Sequence, residues 1–121
     1  MKKGFRALLA YQKGFDLALE IFEVSKLFPN EEKYSLTDQI RRSSRSVCAN
    51  IGEGYRKRQY PAHFVSKISD SDMENTESQV WLDFALASKY IDESLYNDLI
   101  EKSEEVGRLL SFMIQNPDKF R

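Results

Sequence analysis

The sequence predicts an all-α protein, an up-down-up-down antiparallel four-helix bundle formed by a single domain over residues 1–121. Apolar residues recur with helical spacing in four long stretches, and no stretch shows the sustained alternation that is typical of a strand. The chain has only five glycines and three prolines, which suits helices better than the many tight turns of an all-β protein. The connections between the stretches are short, and this favours antiparallel neighbours.

The first helix is predicted over about residues 10–28. Its apolar residues form two adjacent stripes with helical spacing. One stripe is Tyr11, Phe15, Ala18, Leu19 and Phe22, and the other is Leu17, Ile21, Val24 and Phe28. Phe28-Pro29 is expected to end the helix, because the residue before a proline is driven out of the α region.

The second helix is predicted over about residues 36–58. Ser35 is its expected N-cap, with Asp38 three residues later in the manner of a capping box. Glycines 52 and 54 predict close contact with a neighbouring element or a bend, since a glycine inside a helix costs about 1 kcal/mol relative to alanine. The face expected to be buried contains Leu36, Ile40, Val47, Ile51 and Gly54.

The third helix is predicted over about residues 61–91, with Pro61 in its first turn. Residues 80–87 are apolar on nearly every side, which predicts burial on more than one side. In a domain of this size, the second buried side is expected to face another subunit, so the bundle is predicted to form a homo-oligomer.

The fourth helix is predicted over about residues 94–115. Ser94 is its expected N-cap, and Asn116-Pro117 is expected to end it. The apolar face of this helix comprises Leu95, Leu99, Val106, Leu109 and Met113.

Charge is distributed unevenly along the chain. The formal net charge is -1, from 18 Lys plus Arg against 19 Asp plus Glu, which argues against a uniformly basic nucleic-acid binder. Residues 36–60, however, contain six basic and two acidic residues, whereas residues 61–93 contain two basic and seven acidic residues. The second helix is therefore predicted to be basic and the third acidic.

The arginines of the second helix lie opposite its apolar face on a helical wheel, and they flank the small residues at positions 49 and 52. Arginine binds phosphate through paired hydrogen bonds, and neighbouring tyrosines can stack on unpaired bases. The candidate nucleic-acid-binding residues are Arg41, Arg42, Arg45, Tyr55, Arg56, Lys57, Arg58 and Tyr60. Alternatively, the arginines solvate an exposed face or pair with acidic residues of the third helix, namely Asp70, Glu74 and Glu77.

One acidic residue of the third helix, Glu77, falls inside an apolar stripe. The stripe contains Met73, Val80, Trp81, Phe84 and Ile91. An unpaired buried carboxylate is costly, so Glu77 is expected to have a partner, either an arginine or Asn50 of the second helix. Asn50, Glu53 and Glu77 are accordingly predicted to form a structural polar layer within the bundle or between subunits. Glu53 and Lys57 also have the i,i+4 spacing of a weak surface ion pair.

No group of residues predicts catalysis, a cofactor or a metal site. Di-iron sites in bundles need Glu-x-x-His pairs, and the sole histidine, His63, has Tyr60 three residues before it. The sole cysteine, Cys48, is expected to pack in the core. One cysteine cannot form an internal disulfide, which favours a reducing, cytoplasmic location. No run approaches the roughly 20 apolar residues of a membrane helix.

Two sequence motifs resemble a known bacterial family. The first is Phe28-Pro29-x-x-Glu32-x-Tyr34-x-Leu36-x-x-Gln39-Ile40-Arg41-Arg42-Ser43-Ser44-x-Ser46-Val47-x-x-Asn50-Ile51-x-Glu53-Gly54. The second runs from Glu77 to Ala85 and is followed by Tyr90-Ile91. Together they resemble the four-helix-bundle proteins encoded in intervening sequences of 23S ribosomal RNA genes. Gly52 departs from the alanine or serine that this pattern often has before its Glu-Gly pair.

The resemblance implies a homo-pentameric ring with a central channel. It also implies similarity to the accessory protein of diversity-generating retroelements, which engages reverse transcriptase and nucleic acid through basic surfaces. The functional positions that it implies are Arg41, Arg42, Asn50 and Glu53, with Glu77 as a structural partner.

The sequence therefore predicts a non-enzymatic, homo-oligomeric adaptor that binds RNA or DNA through the basic face of its second helix. The alternative prediction is a protein-interaction or scaffolding ring that has no nucleic-acid ligand.

Overall fold

The protein is all-α, as predicted. The computed structural model describes residues 2–121, and within them there are four α-helices and no strand. The helices are α1 (Leu9–Ser25), α2 (Leu36–Tyr55), α3 (Pro61–Ala87) and α4 (Glu93–Gln115). Short 3-10 turns span Gly4–Ala7, Asn30–Glu32 and Pro117–Phe120. Helix α2 packs against α1 and α3, and α4 packs against α3 and α1, so the four helices enclose one core.

The core is formed by one apolar face from each helix. The predicted inner face of α2 is confirmed, because Leu36, Ile40, Val47, Ile51 and Gly54 are all buried. In α1 the inner face is the stripe of Leu17 and Ile21, and the stripe of Phe15 and Leu19 lies on the surface. The largest side chains with almost no exposed surface are Ile21, Ile40, Ile51, Phe64, Ile68, Leu82, Leu99 and Leu110.

Helix α1 ends earlier than its apolar pattern predicts. It ends at Ser25, and the next three residues form hydrogen bonds of the i to i+3 type back to residues 23–25. Phe28 is still buried, and its ring lies 5.6 Å from the ring of Tyr90. The periodicity therefore identified a true core residue, but one that belongs to the connecting turn.

Ser35 is the N-cap residue of α2, as predicted, but its side chain does not cap the helix, and Glu32 replaces the predicted capping box. The Glu32 carboxylate accepts the Leu36 backbone N–H (3.3 Å), the Ser35 hydroxyl (2.6 Å) and the Tyr90 hydroxyl (2.8 Å). These hydrogen bonds lower the pKa of Glu32. The bond from Ser35 has the largest effect, and the bond from Tyr90 has the next largest. A single carboxylate thus connects the start of α2 to the segment after α3.

The last turns of α2 and α3 also differ from prediction. Helix α2 ends at Tyr55, so Arg56, Lys57 and Arg58 lie in the turn before Pro61 rather than on the helix. Helix α3 ends at Ala87 in a Schellman motif, in which the N–H groups of residues 90 and 89 donate to the carbonyls of residues 85 and 86. Lys89 adopts a left-handed φ of 64° there, which stops the helix although the apolar pattern continues to Ile91.

Helix α4 begins one residue before the predicted N-cap. Its N-cap is Asp92, whose carboxylate accepts the Leu95 N–H at 2.8 Å, and Ser94 lies in the first turn. The cap stabilises the helix by pairing one of its free N–H groups.

A polar layer crosses the middle of the core, but it is not the predicted one. The Ser71 hydroxyl donates to the Val47 carbonyl (2.7 Å), and the Ser43 and Ser78 hydroxyls lie 2.8 Å apart. Asn75 bridges α3 to α4 through Ser103. Its Nδ2 donates to the Ser103 carbonyl and its Oδ1 accepts the Ser103 hydroxyl, both at 2.9 Å. These residues join α3 to both of its neighbours.

The inner face of α3 has the alternating three- and four-residue spacing of a packed helix seam. Its members are Phe64, Ile68, Ser71, Asn75, Ser78, Leu82 and Ala85. The sequence therefore does contain a signal for the inner face of α3. The spacing of Phe64 and Ile68 continues through Ser71, Asn75 and Ser78. It was missed because the third helix was aligned on its most apolar stripe.

Gly54 allows α2 to approach α3 closely. A Cβ at this position would lie 2.9 Å from Ile68 Cδ1 and 3.2 Å from Lys67 Cβ, whereas a Cβ at Gly52 would meet only the Phe5 ring at 3.7 Å. We expect Gly54→Leu to destabilise the fold by about 1–3 kcal/mol through overpacking. We expect Gly52→Ala to be neutral or to stabilise it by up to about 1 kcal/mol, since alanine has the better helix propensity. Urea unfolding of both variants checks the pair, and equal effects would contradict this account.

No helix within residues 2–121 is both long enough and apolar enough to span a membrane. In the same part of the chain, no three His, Cys, Asp or Glu side chains come together in an arrangement that could hold a metal ion.

Candidate nucleic-acid interface

The six predicted basic residues fall into two groups along α2. Arg41, Arg42 and Arg45 lie on the first half of the helix, and Arg56, Lys57 and Arg58 lie in the turn after it. The side chains of Arg42, Arg45, Arg56 and Lys57 are exposed, and those of Arg41 and Arg58 are half-buried. The two groups have different surroundings.

Arg41 and Arg45 are positioned by the aromatic ring of Phe22 on α1. The guanidinium carbon of Arg41 lies 4.5 Å from the ring centroid and that of Arg45 lies 5.2 Å from it. The Arg41 Nε also donates a 2.7 Å hydrogen bond to the Ser25 hydroxyl. A cation over an aromatic ring retains its charge while the ring restrains its position. These two arginines are therefore held against α1, and neither forms an ion pair with an acidic residue among residues 2–121.

Arg58 is positioned by Tyr55. Its Nε donates to the Tyr55 carbonyl at 2.8 Å, and its guanidinium carbon lies 3.7 Å from the centroid of the Tyr55 ring. One face of that ring is thus covered, so the stacking on bases predicted for Tyr55 would require Arg58 to move. Tyr60 is exposed, and its ring lies perpendicular to that of His63, at 6.2 Å between centroids. Tyr60 is the better placed of the two tyrosines for stacking.

The N-terminal segment adds basic residues that the sequence analysis did not assign to the site. The ring of Phe5 packs over Gly52 and meets the edges of Tyr11 and Tyr55 at centroid distances of 5.0 and 6.5 Å. The neighbouring Arg6 lies 4.4 Å from the Phe5 ring. This contact brings the exposed cations of the segment to the last turn of α2. We call the combined cluster the basic end, and its members are Lys3, Arg6, Arg56, Lys57 and Arg58.

The six predicted cations have no acidic partner within residues 2–121. The ion pairs in that part of the chain involve Lys13, Lys26, Lys67, Lys102 and Arg121 instead. Glu53, predicted to pair with Lys57, lies 2.7 Å from Lys67 of α3. The predicted surface pair is therefore wrong, and its physical reason is that the chain turns at Tyr55 and carries Lys57 away from the helical position. Lys57 keeps its charge free.

The predicted polar layer of Asn50, Glu53 and Glu77 does not form in the core. Asn50 Nδ2 donates to the Ser46 carbonyl of its own helix at 3.0 Å, and Glu53 is exposed. Glu77 lies half-buried in the wall of a groove of about 690 Å³ between α2 and α3. Met73, Val80 and Phe84 of the stripe around Glu77 are exposed because Ser71, Asn75 and Ser78 occupy the inner face of α3, whereas Trp81 is half-buried and Ile91 is buried.

Glu77 lies beside another carboxyl, that of Glu74, and it forms no ion pair with an arginine within residues 2–121. Burial in the groove, followed by the adjacent Glu77, raises the pKa of Glu74, and Asp70 adds to the effect. A hydrogen bond from Ser46 opposes it. The described residues that line the groove include Asp70, Glu74 and Glu77 and no basic side chain, so the groove is negatively charged.

Cys48 packs in the core as expected and is not a reactive thiol. Burial, with a smaller effect of Asp16, raises its pKa to about 11. Because the thiolate is the reactive form, we expect iodoacetamide at pH 8 to label the folded protein at least about 100-fold more slowly than the chain unfolded in urea. Mass spectrometry over time measures both rates. Equal rates would show that Cys48 is accessible and ionised in the fold.

Comparisons with known proteins identify similar chains. The family model described as "23S rRNA-intervening sequence protein" matches residues 6–112. The crystal structure of a protein of unknown function from the S23 ribosomal protein family of Bacteroides thetaiotaomicron VPI-5482 is 30% identical to this chain. The match covers 88% of this chain and 96% of that one, with a TM-score of 0.81. A comparison with curated proteins finds no match.

Proposed function

This chain belongs to the family of 23S rRNA-intervening sequence proteins, and from that premise we propose that it is a non-enzymatic, homo-oligomeric adaptor that binds RNA or DNA. In this proposal the basic end, with Arg42 of α2, contacts phosphates, and Tyr60 stacks on an unpaired base. Contacts of this kind give affinity with little base specificity.

The observation that carries the proposal is that Arg42, Arg56, Lys57 and Arg58 have no carboxylate partner within the described residues. If these cations served only to stabilise the bundle, pairing with the acidic α3 would be the expected arrangement. The competing carboxylate of Glu53 is instead held by Lys67. A surface cation without an internal partner can exchange its counterions for phosphates, which favours binding.

The surroundings of the basic end support a phosphate ligand. Tyr60 immediately precedes α3, and the first turn of that helix contains no acidic residue. Since the start of a helix carries a partial positive charge, it adds to the field of Arg56, Lys57 and Arg58. The exposed ring of Tyr60 lies within this field, which suits a single strand whose bases are free to stack.

The oligomeric part of the proposal is supported by apolar side chains that the single chain leaves exposed. They include Leu9, Phe15, Leu19, Leu27, Met73, Val80, Phe84 and Phe112. A ring of five copies is the arrangement that the family resemblance implies. The up-down antiparallel arrangement within each copy is supported by the pairing of Ser43 with Ser78, of Val47 with Ser71 and of Gly54 with Ile68, in which one number rises as the other falls.

The proposal is for a binding protein rather than an enzyme because the one thiol of the chain, Cys48, is buried and has a raised pKa. A thiol in that state is a poor nucleophile.

The experiment that tests nucleic-acid binding is fluorescence anisotropy with labelled single-stranded RNA, single-stranded DNA and duplex DNA over a range of salt concentrations. For four phosphate contacts, we expect the logarithm of the binding constant to fall against the logarithm of the salt concentration with a slope of about -3 on single strands. Binding that does not depend on salt, or no binding at low salt, would contradict the proposal.

The second candidate function is a protein-interaction or scaffolding ring without a nucleic-acid ligand. The exposed apolar stripe of Met73, Val80 and Phe84 favours it, because such stripes mark contacts with other proteins. An assembled protein that binds none of the three labelled nucleic acids would support this alternative.

A further inference from the structure

We propose that the outer face of α1 in one copy docks against the outer face of α3 in the next copy, with Arg41 and Arg45 of the first facing Glu74 and Glu77 of the second. This inference rests on the proposed homo-oligomer and names the two surfaces that would form it. It also assigns some of the predicted basic residues to assembly and the others to nucleic-acid binding.

The α1 surface is apolar at its centre and basic along one border. Phe15 and Leu19 are 45% and 54% exposed, and they line a groove of about 390 Å³ together with Phe22 and Arg45. Two acidic residues of α1 are already neutralised, since Glu20 pairs with Lys102 and Glu23 with Lys26. The third acid of α1, Asp16, lines a neighbouring groove together with Lys2 and Arg6. The surface as a whole is therefore positive.

The α3 surface is apolar and acidic. Met73, Val80 and Phe84 are 67%, 41% and 55% exposed, and they follow one line along the helix. Asp70, Glu74 and Glu77 lie beside that line and line the same groove as Trp81. Lys67, the nearest lysine of α3 in sequence, is already paired with Glu53. The groove therefore lacks a cation of its own.

The two surfaces match in length and in charge. The α1 stripe extends from Tyr11 to Phe22 and the α3 stripe from Met73 to Phe84, which is about 16 Å in each case at 1.5 Å per residue. Apolar residues occupy the centre of both, and opposite charges border them. Complementary charge of this kind selects a partner and fixes the register of the contact. A second copy of the chain supplies both surfaces without any other protein.

The contact is heterologous, because a face of α1 meets a face of α3 rather than a copy of itself. Contacts of this type continue from copy to copy and close into a ring when the rotation between copies allows it. Arg41 and Arg45 would be covered at each contact. Arg42 and the basic end would then remain free to bind nucleic acid. Assembly and nucleic-acid binding would thus use different residues.

The test is a charge exchange measured by light scattering after size-exclusion chromatography. We expect the wild type to assemble, and Arg45→Glu or Glu77→Arg alone to weaken assembly at least about tenfold, because each places like charges in contact. The double variant R45E/E77R should restore assembly. Arg108→Glu and Glu101→Arg, which change exposed residues of α4, are matched controls and should assemble as the wild type does. Trp81, the single tryptophan, lines the α3 surface, so its emission should shift on dilution through the dissociation range.

Each outcome decides the inference. Assembly that survives both single changes, or a double variant that stays dissociated, overturns this interface and leaves the homo-oligomer standing. A monomeric wild type overturns the interface and the oligomeric part of the proposed function together. Nucleic-acid binding is measured separately on the wild type, and a wild type that assembles but binds none of the labelled nucleic acids would count against the proposed function and not against this interface.

Discussion

Replacing Arg56 and Lys57 together by glutamate is expected to weaken the binding of single-stranded nucleic acid by about tenfold or more near 0.1 M salt. Both side chains are exposed in the turn after α2, and neither has an acidic partner within residues 2–121. Their removal from phosphate contact should also reduce the salt slope on single strands by about 1.4, since each contact contributes about 0.7. Fluorescence anisotropy over a salt series gives both quantities.

The matched control is K33E/R108E, which makes the same change in net charge at two exposed sites away from the basic end. A general electrostatic effect would weaken binding equally in the two double variants, whereas a local phosphate site predicts a clearly larger effect at positions 56 and 57. Unchanged affinity in the R56E/K57E variant would overturn the proposed site. Unfolding of both variants in urea should show similar stability, because exposed substitutions of this kind change stability by at most about 0.5 kcal/mol.

The predictability of the fold differed between α2 and α3 for a physical reason. Helix α2 has one apolar face and one charged face, so a wheel placed Ile40, Val47 and Ile51 in the core correctly. Helix α3 has two candidate faces. Ser71 and Ser78 are buried at low cost because their hydroxyls bond to a backbone carbonyl or to Ser43, while several large apolar side chains remain outside. A helical wheel that ranks the faces of α3 by apolarity alone therefore predicts that the outer face is the buried one.

The candidate site was predictable only in part. The basic residues of α2 and of the turn after it were evident from local charge density. The contribution of Lys3 and Arg6 was not, because it depends on the contact of Phe5 with Gly52, between residues far apart in the sequence. The failure of the pair between Glu53 and Lys57 has a similar cause, since the end of α2 and the position of Lys67 are set by the packing of α3. Local spacing cannot report on a partner from another helix.

Replacing Asn75 by aspartate is expected to destabilise the fold by about 3–5 kcal/mol at pH 7, the largest effect of any single change proposed for this protein. Asn75 is buried, and its Nδ2 donates to the Ser103 carbonyl while its Oδ1 accepts the Ser103 hydroxyl. Aspartate has almost the same shape, but it places a carboxylate oxygen where the donor was. The Ser103 carbonyl would then face a buried negative charge with no cation beside it.

The destabilisation should depend on pH in a defined direction. A buried aspartate has a pKa above its value in the unfolded chain, so the unfolded state loses its proton first as the pH rises. The loss of stability relative to the wild type should therefore be small below the unfolded pKa of about 3.9, and it should grow as the pH rises toward the folded pKa. Urea unfolding of wild type and variant at pH 4 and pH 7 measures the difference.

Asn97→Asp, the same change at an exposed position of α4, should alter stability by at most about 0.5 kcal/mol at either pH. A similar, pH-independent loss in both variants would show that the charge at Asn75 is not the cause, and that the hydrogen bonds through Ser103 do not join α3 to α4 as described.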